Sequence, residues 1–331
     1  MLARAHDARE PLLERLQQEG TDCYRLFHGT VEGWPGVTLD RYGALALLQS
    51  FHAPVDSAAV DAVGAFVDDL HPGMPLIYND RSGRGSRVSN PLPEALCAPA
   101  HELRTIHEHG VRFRFQARHA GQDPWLFLDL RAARRRIMAE AAGRSVLNLF
   151  SYTCGIGTAA ARAGATFVMN VDFAESALRV GKDNARLNEL AHRPRFVQSD
   201  FFPAVRQLAG IGQPQTVRGK RLPPFPALAP RRFDLVFLDP PRYAKSPFGV
   251  VDLVRDYPAL FKPALLATAE GGTLVCCNNV AEAGAEAWLE QLRRSAAKTG
   301  RSIREAEWIA PDPDFPSFDA RPPLKTVILR V

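Results

Sequence analysis

Cysteine is scarce in this chain. Five cysteines among 331 residues, odd in number and irregularly spaced, give neither a disulfide ladder nor the paired Cys-x-x-Cys ligands of a metal site. Long apolar runs are lacking too: none approaches the ~20 residues needed to span a bilayer. The opening MLARAHDAREPLLERLQQEG mixes both charge signs and has no apolar core followed by a small-residue cleavage site, so it does not read as a secretory signal. There is no internal repeat and no long low-complexity segment. These absences point to a soluble cytoplasmic protein with reduced thiols, without metal or membrane. The net charge of +5 leans toward a polyanionic partner, although charge alone speaks to attraction and not to chemistry.

What is present divides in two. A length of 331 residues accommodates two domains at roughly 100 to 200 residues each. Residues 1–118 read as a small α+β domain, because the strand-like runs ALALLQSF, PLIYND and VRFRFQAR surround one helical segment. In VRFRFQAR, Val111, Phe113 and Phe115 alternate with Arg112, Arg114 and Gln116, so one face is buried and the other basic. The helix is DSAAVDAVGAFVDDL, which Asp56 or Ser57 can cap. Arg41, Arg81, Arg84 and Arg87 fall on turn-rich loops, where they either face solvent or contact RNA.

Residues 119–331 alternate continuous apolar strands (SVLNLF, FVMNVD, RFVQSD, FDLVFLD, GTLVCCNN) with helices. That pattern belongs to a parallel sheet covered on both faces, a doubly wound α/β domain. Ligands bind such sheets outside the carboxyl ends of the strands. The first strand ends in FSYTCGIGT, where Gly155 and Gly157 allow a sharp turn and close approach to a ligand. As Gly-x-Gly-x-x-Ala this also fits a nicotinamide dinucleotide fingerprint. The second strand ends in Asp172, which either accepts hydrogen bonds from a ribose or, with Glu175, caps the next helix. The third ends in Asp200, which either accepts the amino group of an adenine, with Phe201 packed on the ring, or caps its helix. Together the three describe an adenosine pocket.

The fourth strand ends in Asp239-Pro240-Pro241-Arg242-Tyr243. A dehydrogenase has no use for Asp-Pro-Pro there, whereas methylation of a nucleic-acid base requires a rigid acceptor and an aromatic face. Asp239 and the Pro240 carbonyl would hold a base edge while Tyr243 or Arg242 stacks on its face.

On these residues the chain resembles the class I S-adenosylmethionine-dependent methyltransferases, specifically the ribosomal RNA large-subunit family that includes cytosine-5 and guanine enzymes. The segments that carry the likeness are YRLFHGTVEGWPGVTLDRYG (24–43), LFLDLR (126–131), VLNLFSYTCGIG (146–157) and FDLVFLDPPRY (233–243). The resemblance implies a Rossmann-like class I sheet behind a smaller N-terminal domain, S-adenosyl-L-methionine as cofactor, and RNA, most of all 23S ribosomal RNA, as partner. It implies that residues from Phe150 to Gly157, including Tyr152, Thr153 and Gly155, line the methionine part of the cofactor. Asp172 would meet its ribose and Asp200 its adenine, while Asp239 and Pro240, beside the donor methyl, face the target base. The family's frequent N-terminal PUA domain has no room ahead of residue 21. GQDPW stands where the family tends to have Gly-Gln-Lys-Thr-Gly, and Cys154 where a glycine is usual.

Counted from Gly271-Gly272, the nucleophilic cysteine of the cytosine-5 enzymes falls at Asn279 here, and CCNN is similar to the Ser-Asn-Asn of the guanine-modifying branch. Cys276 and Cys277 then read as small buried hydrophobes on a core strand. Two basic stretches remain. TVRGKRLPPFPALAPRRFD reads as an extended, solvated loop whose Arg218, Lys220, Arg221, Arg231 and Arg232 clamp RNA phosphates. Arg131 with Arg134 to Arg136 lies on a helix, either in contact with phosphate or solvated. Two other functions stay open on the residues alone: a nicotinamide-dependent oxidoreductase, and a non-catalytic RNA-binding protein with a vestigial cofactor pocket.

Overall fold

The computed structural model describes residues 1–331 except Gln122, Arg218, Pro247, Phe248 and Ala320, and for Val217, Lys220, 243–246 and 249–251 it describes the backbone only. The chain forms two compact units, Met1–Arg131 with Pro311–Arg321, and Ala132–Ala310 with Pro322–Val331.

In the first unit, strands Cys23–His28, Val37–Tyr42, Ala46–Ser50 and Leu76–Asp80 lie side by side in chain order. The last two are parallel because a helix, Ser57–Leu70, returns the chain between them. Asp56 caps that helix, its carboxylate accepting the Ala59 N–H at 2.8 Å, and the helix buries Val63 and Val67 against the sheet. A separate hairpin pairs Arg104–Glu108 with Val111–Phe115. There Val111, Phe113 and Phe115 are buried, as the alternation requires, and Phe115 stacks on Tyr42 with ring centres 4.0 Å apart.

Several arginines that the sequence offered to solvent or phosphate are interior. Arg81 is buried, donating to Asp123 at 2.7 Å and to Gln49 at 3.2 Å, while Arg84 and Arg87 are exposed. Arg131 is fully buried against the equally buried Asp314, at 2.6 Å. Arg134 is buried as well. Arg131 and Arg134 are therefore neither on a solvated face nor open to phosphate, while Arg135 and Arg136 are half-buried; a spacing argument sees the charges but not the carboxylate that segment 311–321 brings to Arg131.

The second unit holds a seven-stranded sheet. Its strands are β1 (Ser145–Leu149), β2 (Phe167–Asp172), β3 (Arg195–Gln198), β4 (Phe233–Leu238), β5 (Thr268–Asn278), β6 (Glu305–Ile309) and β7 (Lys325–Arg330). The order across the sheet is β6-β7-β5-β4-β1-β2-β3. The five strands from β1 to β5 run parallel, and β7 is antiparallel to both of its neighbours. Its six residues are the chain's last turn through the sheet, and they bring Lys325 opposite Asn278 at the carboxyl end of β5. The connecting helices used below are α1 (Arg131–Ala141), α2 (Gly155–Arg162), α3 (Glu175–Leu187), α4 (Phe201–Leu208), α5 (Tyr257–Ala267) and α6 (Ala285–Ala297). Helix α2 packs on α3, and α5 packs on α4 and α6, the two groups that a doubly wound sheet places on opposite faces. The chain moves from β1 out to β3 and then crosses back to β4, so the direction of winding reverses between β1 and β4.

The proline-rich stretch before β4 is anchored and not a free loop. Leu222 and Leu228 are buried, and Gln207 of α4 accepts from the Leu228 N–H and donates to the Pro226 carbonyl, both at 3.1 Å. Arg231 lies 3.8 Å over the ring of Phe167, the first residue of β2, and Arg232 pairs with Glu270 at 3.7 Å. Both arginines thus sit at the amino ends of the strands, the edge opposite the one where the strand-tip acids cluster. Arg218 and the Lys220 side chain fall outside the described residues.

Candidate active site at the carboxyl edge of the sheet

The loop from β1 into α2 carries an uncommon backbone. Phe150, Tyr152 and Cys154 have φ of 55°, 47° and 62°, and each such non-glycine residue costs about 1–2 kcal/mol relative to ordinary backbone. Neighbouring elements hold the loop in place. The Ser151 N–H donates to the Val171 carbonyl at 3.0 Å, and the Tyr152 N–H to the Asp172 carboxylate at 2.7 Å. The Phe150 ring stacks on Phe201 at 4.8 Å. From α3, the Asn184 amide donates to the Thr153 carbonyl at 2.9 Å, and Gly181 makes room for Cys154: a Cβ at residue 181 would stand 2.5 Å from its sulfur.

The glycines act differently from the reading given them above. Among the described residues of this loop the left-handed positions are Phe150, Tyr152 and Cys154, not Gly155 or Gly157. Gly157 lets α2 approach β2, since a Cβ there would fall 2.0 Å from the Asn170 amide oxygen, which already accepts a hydrogen bond from Asn148 at 2.9 Å. The family's usual glycine at position 154 has its reason in the φ of 62° that Cys154 adopts.

Asp172 is buried at the tip of β2, and its two carboxylate oxygens accept the N–H groups of Tyr152 and Ala174 at 2.7 and 2.9 Å. Burial raises its pKa against the opposing pull of these backbone donors. Ala174 holds the N-cap position of the next helix, which has no side-chain cap, so Asp172 bonds to the loop and to the N–H of the N-cap residue without itself being the cap. An ionised carboxylate offers about four lone-pair sites, and since the Phe173 N–H also bonds to this one, about one remains for a hydroxyl donor. Asp200 does cap its helix, one oxygen accepting the Phe202 N–H at 3.1 Å, and burial raises its pKa also. Its second oxygen is the one available for an amino group. Phe201, expected against an adenine ring, is instead buried with its face on Phe150. Phe173, which follows Asp172, is the exposed aromatic at this edge, at 68 %; nothing in its sequence context distinguished it.

Leu149 pairs with Leu238 across β1 and β4, which sets Phe150 beside Asp239. Asp239 is half-buried, Pro240 buried, and Pro241 and Arg242 exposed. The Tyr243 side chain lies outside the described residues. On the far side of β4, Cys276 and Cys277 are fully buried, and burial pushes the Cys276 thiol far above the ordinary thiol range. The Tyr257 hydroxyl donates to the Cys277 carbonyl at 2.9 Å. Asn278 is buried, its side chain accepting the Val280 N–H at 3.0 Å and donating to the Leu253 carbonyl at 3.2 Å, whereas Asn279 is exposed. The fold therefore brings Phe150 to Gly157, Asp172, Asp200 and Asp239-Pro240 to the ends of four adjacent strands.

A family model described as S-adenosylmethionine-dependent methyltransferase matches residues 24–330. The ribosomal RNA large subunit methyltransferase I of Escherichia coli O139:H28 is 26% identical over 311 residues, covering 92% of this chain and 73% of that protein. A methyltransferase solved in complex with SAH superposes with a TM-score of 0.77 at 22% identity, covering all of this chain (100%) and 80% of its own. A SAM-dependent methyltransferase from Streptococcus mutans does so with a TM-score of 0.75 at 23% identity, covering 99% and 79%. Among the described residues no helix is long and apolar enough to cross a membrane.

Proposed function

The chain belongs to the S-adenosylmethionine-dependent methyltransferase family, and from that premise we propose that its methyl acceptor is a nitrogen of a purine base in ribosomal RNA. Family membership sets aside the nicotinamide reading that Gly155-x-Gly157 had left open. The likeness to a ribosomal RNA methyltransferase of Escherichia coli over 92% of the chain supports the RNA class. The observation that carries the choice of base is the burial of Cys276 and Cys277 beside an exposed Asn279. Methylation at C5 of cytosine needs a thiolate at the base; both thiols are fully buried, and burial also pushes the Cys276 thiol far above its ordinary range.

The residues fit the cofactor. The remaining lone pair of Asp172 suits a ribose hydroxyl and the second oxygen of Asp200 the adenine amino group, while the loop 150–157 lines the methionine part. When bound, the cofactor supplies an electrophilic methyl group on sulfur. Asp239 and the Pro240 carbonyl then hold the base edge by accepting its N–H groups. Holding the edge aims the nitrogen lone pair at the methyl, and Asp239 receives the proton that nitrogen gives up.

The test is methylation of ribosomal RNA with isotopically labelled cofactor, followed by nucleoside mass spectrometry. A labelled methylpurine is expected. Labelled 5-methylcytosine would overturn the choice of base, and unlabelled RNA would overturn the choice of substrate. Comparing ribosomal RNA from cells with and without the gene identifies the position.

A further inference from the structure

The turn that carries Asp239 is followed by an ion pair that the methyl-transfer reading does not use. Arg242, directly after Pro240-Pro241, reaches Glu282 in the loop after β5, with 3.2 Å between Nη2 and Oε1. Both side chains are open to water, at 49 and 65 % exposure, so the pair gains little from its Coulomb attraction and is readily exchanged. The two ends of the pair are held independently. Two prolines fix the backbone that leads into Arg242. Glu282 sits inside a turn closed by the Ala283 N–H on the Val280 carbonyl at 3.1 Å. That carbonyl also accepts Lys325 Nζ at 2.9 Å, and the Val280 N–H is held by buried Asn278 at 3.0 Å. Burial lowers the pKa of Lys325 against the opposing charge of Glu282, so the carboxylate is felt at the clip as well. If Arg242 lets go, Glu282 does not follow it.

We infer that Glu282 stands in for a phosphate of the RNA substrate: it occupies Arg242 in the free enzyme and yields the guanidinium to the nucleotide backbone next to the target base. This inference rests on the RNA reading above. Arginine matches phosphate oxygens with two parallel hydrogen bonds, whereas Glu282 accepts from Nη2 through Oε1. RNA must therefore displace the carboxylate before its phosphate can use the guanidinium, and the binding of the base at Asp239 and Pro240 helps to offset that cost. Glu282 then sets a cost of binding that every RNA meets alike.

The experiment measures RNA affinity by fluorescence anisotropy and steady-state KM and kcat for methylation, in the full-length enzyme and in Glu282→Gln, Arg242→Gln and the double variant. Glu282→Gln is expected to bind RNA about three- to fivefold more tightly, the scale of one exposed ion pair. The effect should appear in KM and not in kcat. Arg242→Gln should weaken binding and lower the salt slope by about one. In the double variant the gain from Glu282→Gln should vanish. A gain that persists without Arg242 would show simple charge repulsion and overturn the exchange, as would an unmoved KM in Glu282→Gln. If the unaltered enzyme methylates RNA while the variants behave like it, the exchange alone fails; if it methylates no RNA, the substrate reading fails and takes the exchange with it.

Discussion

The carboxylate of Asp172 accepts the backbone N–H of Tyr152 at 2.7 Å, and Tyr152 holds a φ of +47°. The acid at the tip of the second strand thus fixes the strained loop at the tip of the first. Asp172→Asn keeps the shape but turns an acceptor into an amide that can present only one oxygen. Leaving a buried N–H unmet costs about 1–3 kcal/mol. Calorimetry should show S-adenosylhomocysteine affinity falling at least tenfold, about 1.4 kcal/mol, and thermal unfolding should occur at a lower temperature. Because burial raises the Asp172 pKa, affinity in the unaltered protein should decline as pH falls through that raised value, and Asp172→Asn should lack this limb. Unchanged affinity in the variant would remove Asp172 from the site.

Cys154 and Gly181 form a second coupled pair. A Cβ at residue 181 would meet the Cys154 sulfur at 2.5 Å and its Cβ at 2.9 Å, so Gly181→Ala should destabilise by about 1–3 kcal/mol, the usual cost of overpacking. Adding Cys154→Gly removes the obstruction and also relieves a non-glycine φ of 62°. Denaturant titration of the double variant should recover most of the loss. Purely additive losses would show that α3 and the loop are not coupled through this contact.

Glu140 of α1 gives the sheet an acid-sensitive bond. It accepts from Arg330 of β7 at 2.6 and 2.7 Å and from Arg136 at 2.8 Å. Burial alone would raise its pKa, but these donors outweigh burial and lower it from 4.5 to about 2. A depressed carboxylate contributes stability that is present above pH 4.5 and lost as pH falls through about 2. Glu140→Gln should therefore lower stability at pH 7 and flatten the stability curve between those limits. A variant curve parallel to the original across that window would refute the assignment.

For cysteine chemistry the expectation is negative and sharp. RNA containing 5-fluorocytosine traps an enzyme that attacks C6 through a thiolate, because fluorine cannot leave after methyl transfer. With Cys276 and Cys277 fully buried, no covalent adduct should appear on a denaturing gel, and Cys277→Ala should retain near-normal turnover. An adduct lost in Cys277→Ala would make that thiol the nucleophile and end the purine reading.

The sequence by itself determined the repeating strand-helix order, the acids at the strand tips and the Asp-Pro-Pro turn. Each rests on period, composition or fixed proline geometry, all local properties of the chain. It also carried the family likeness, and the alternation that buries Val111, Phe113 and Phe115. Only the tertiary structure decided what depends on partners distant in sequence. Residues 150, 152 and 154 are left-handed because Asp172, Phe201 and Gly181 hold them so, not because glycine permits it. Arg131 is interior because Asp314 reaches it from 183 residues away, and a charge run read along one helix cannot reveal that. Asp200 caps its helix through one oxygen, so the cap that the sequence could only set against adenine binding is formed, and it occupies one oxygen of the two. Lys325 arrives at the active edge because the last strand enters the sheet in reverse. Strand direction follows from how the final segment packs between its neighbours, and no local pattern in KTVILR encodes it.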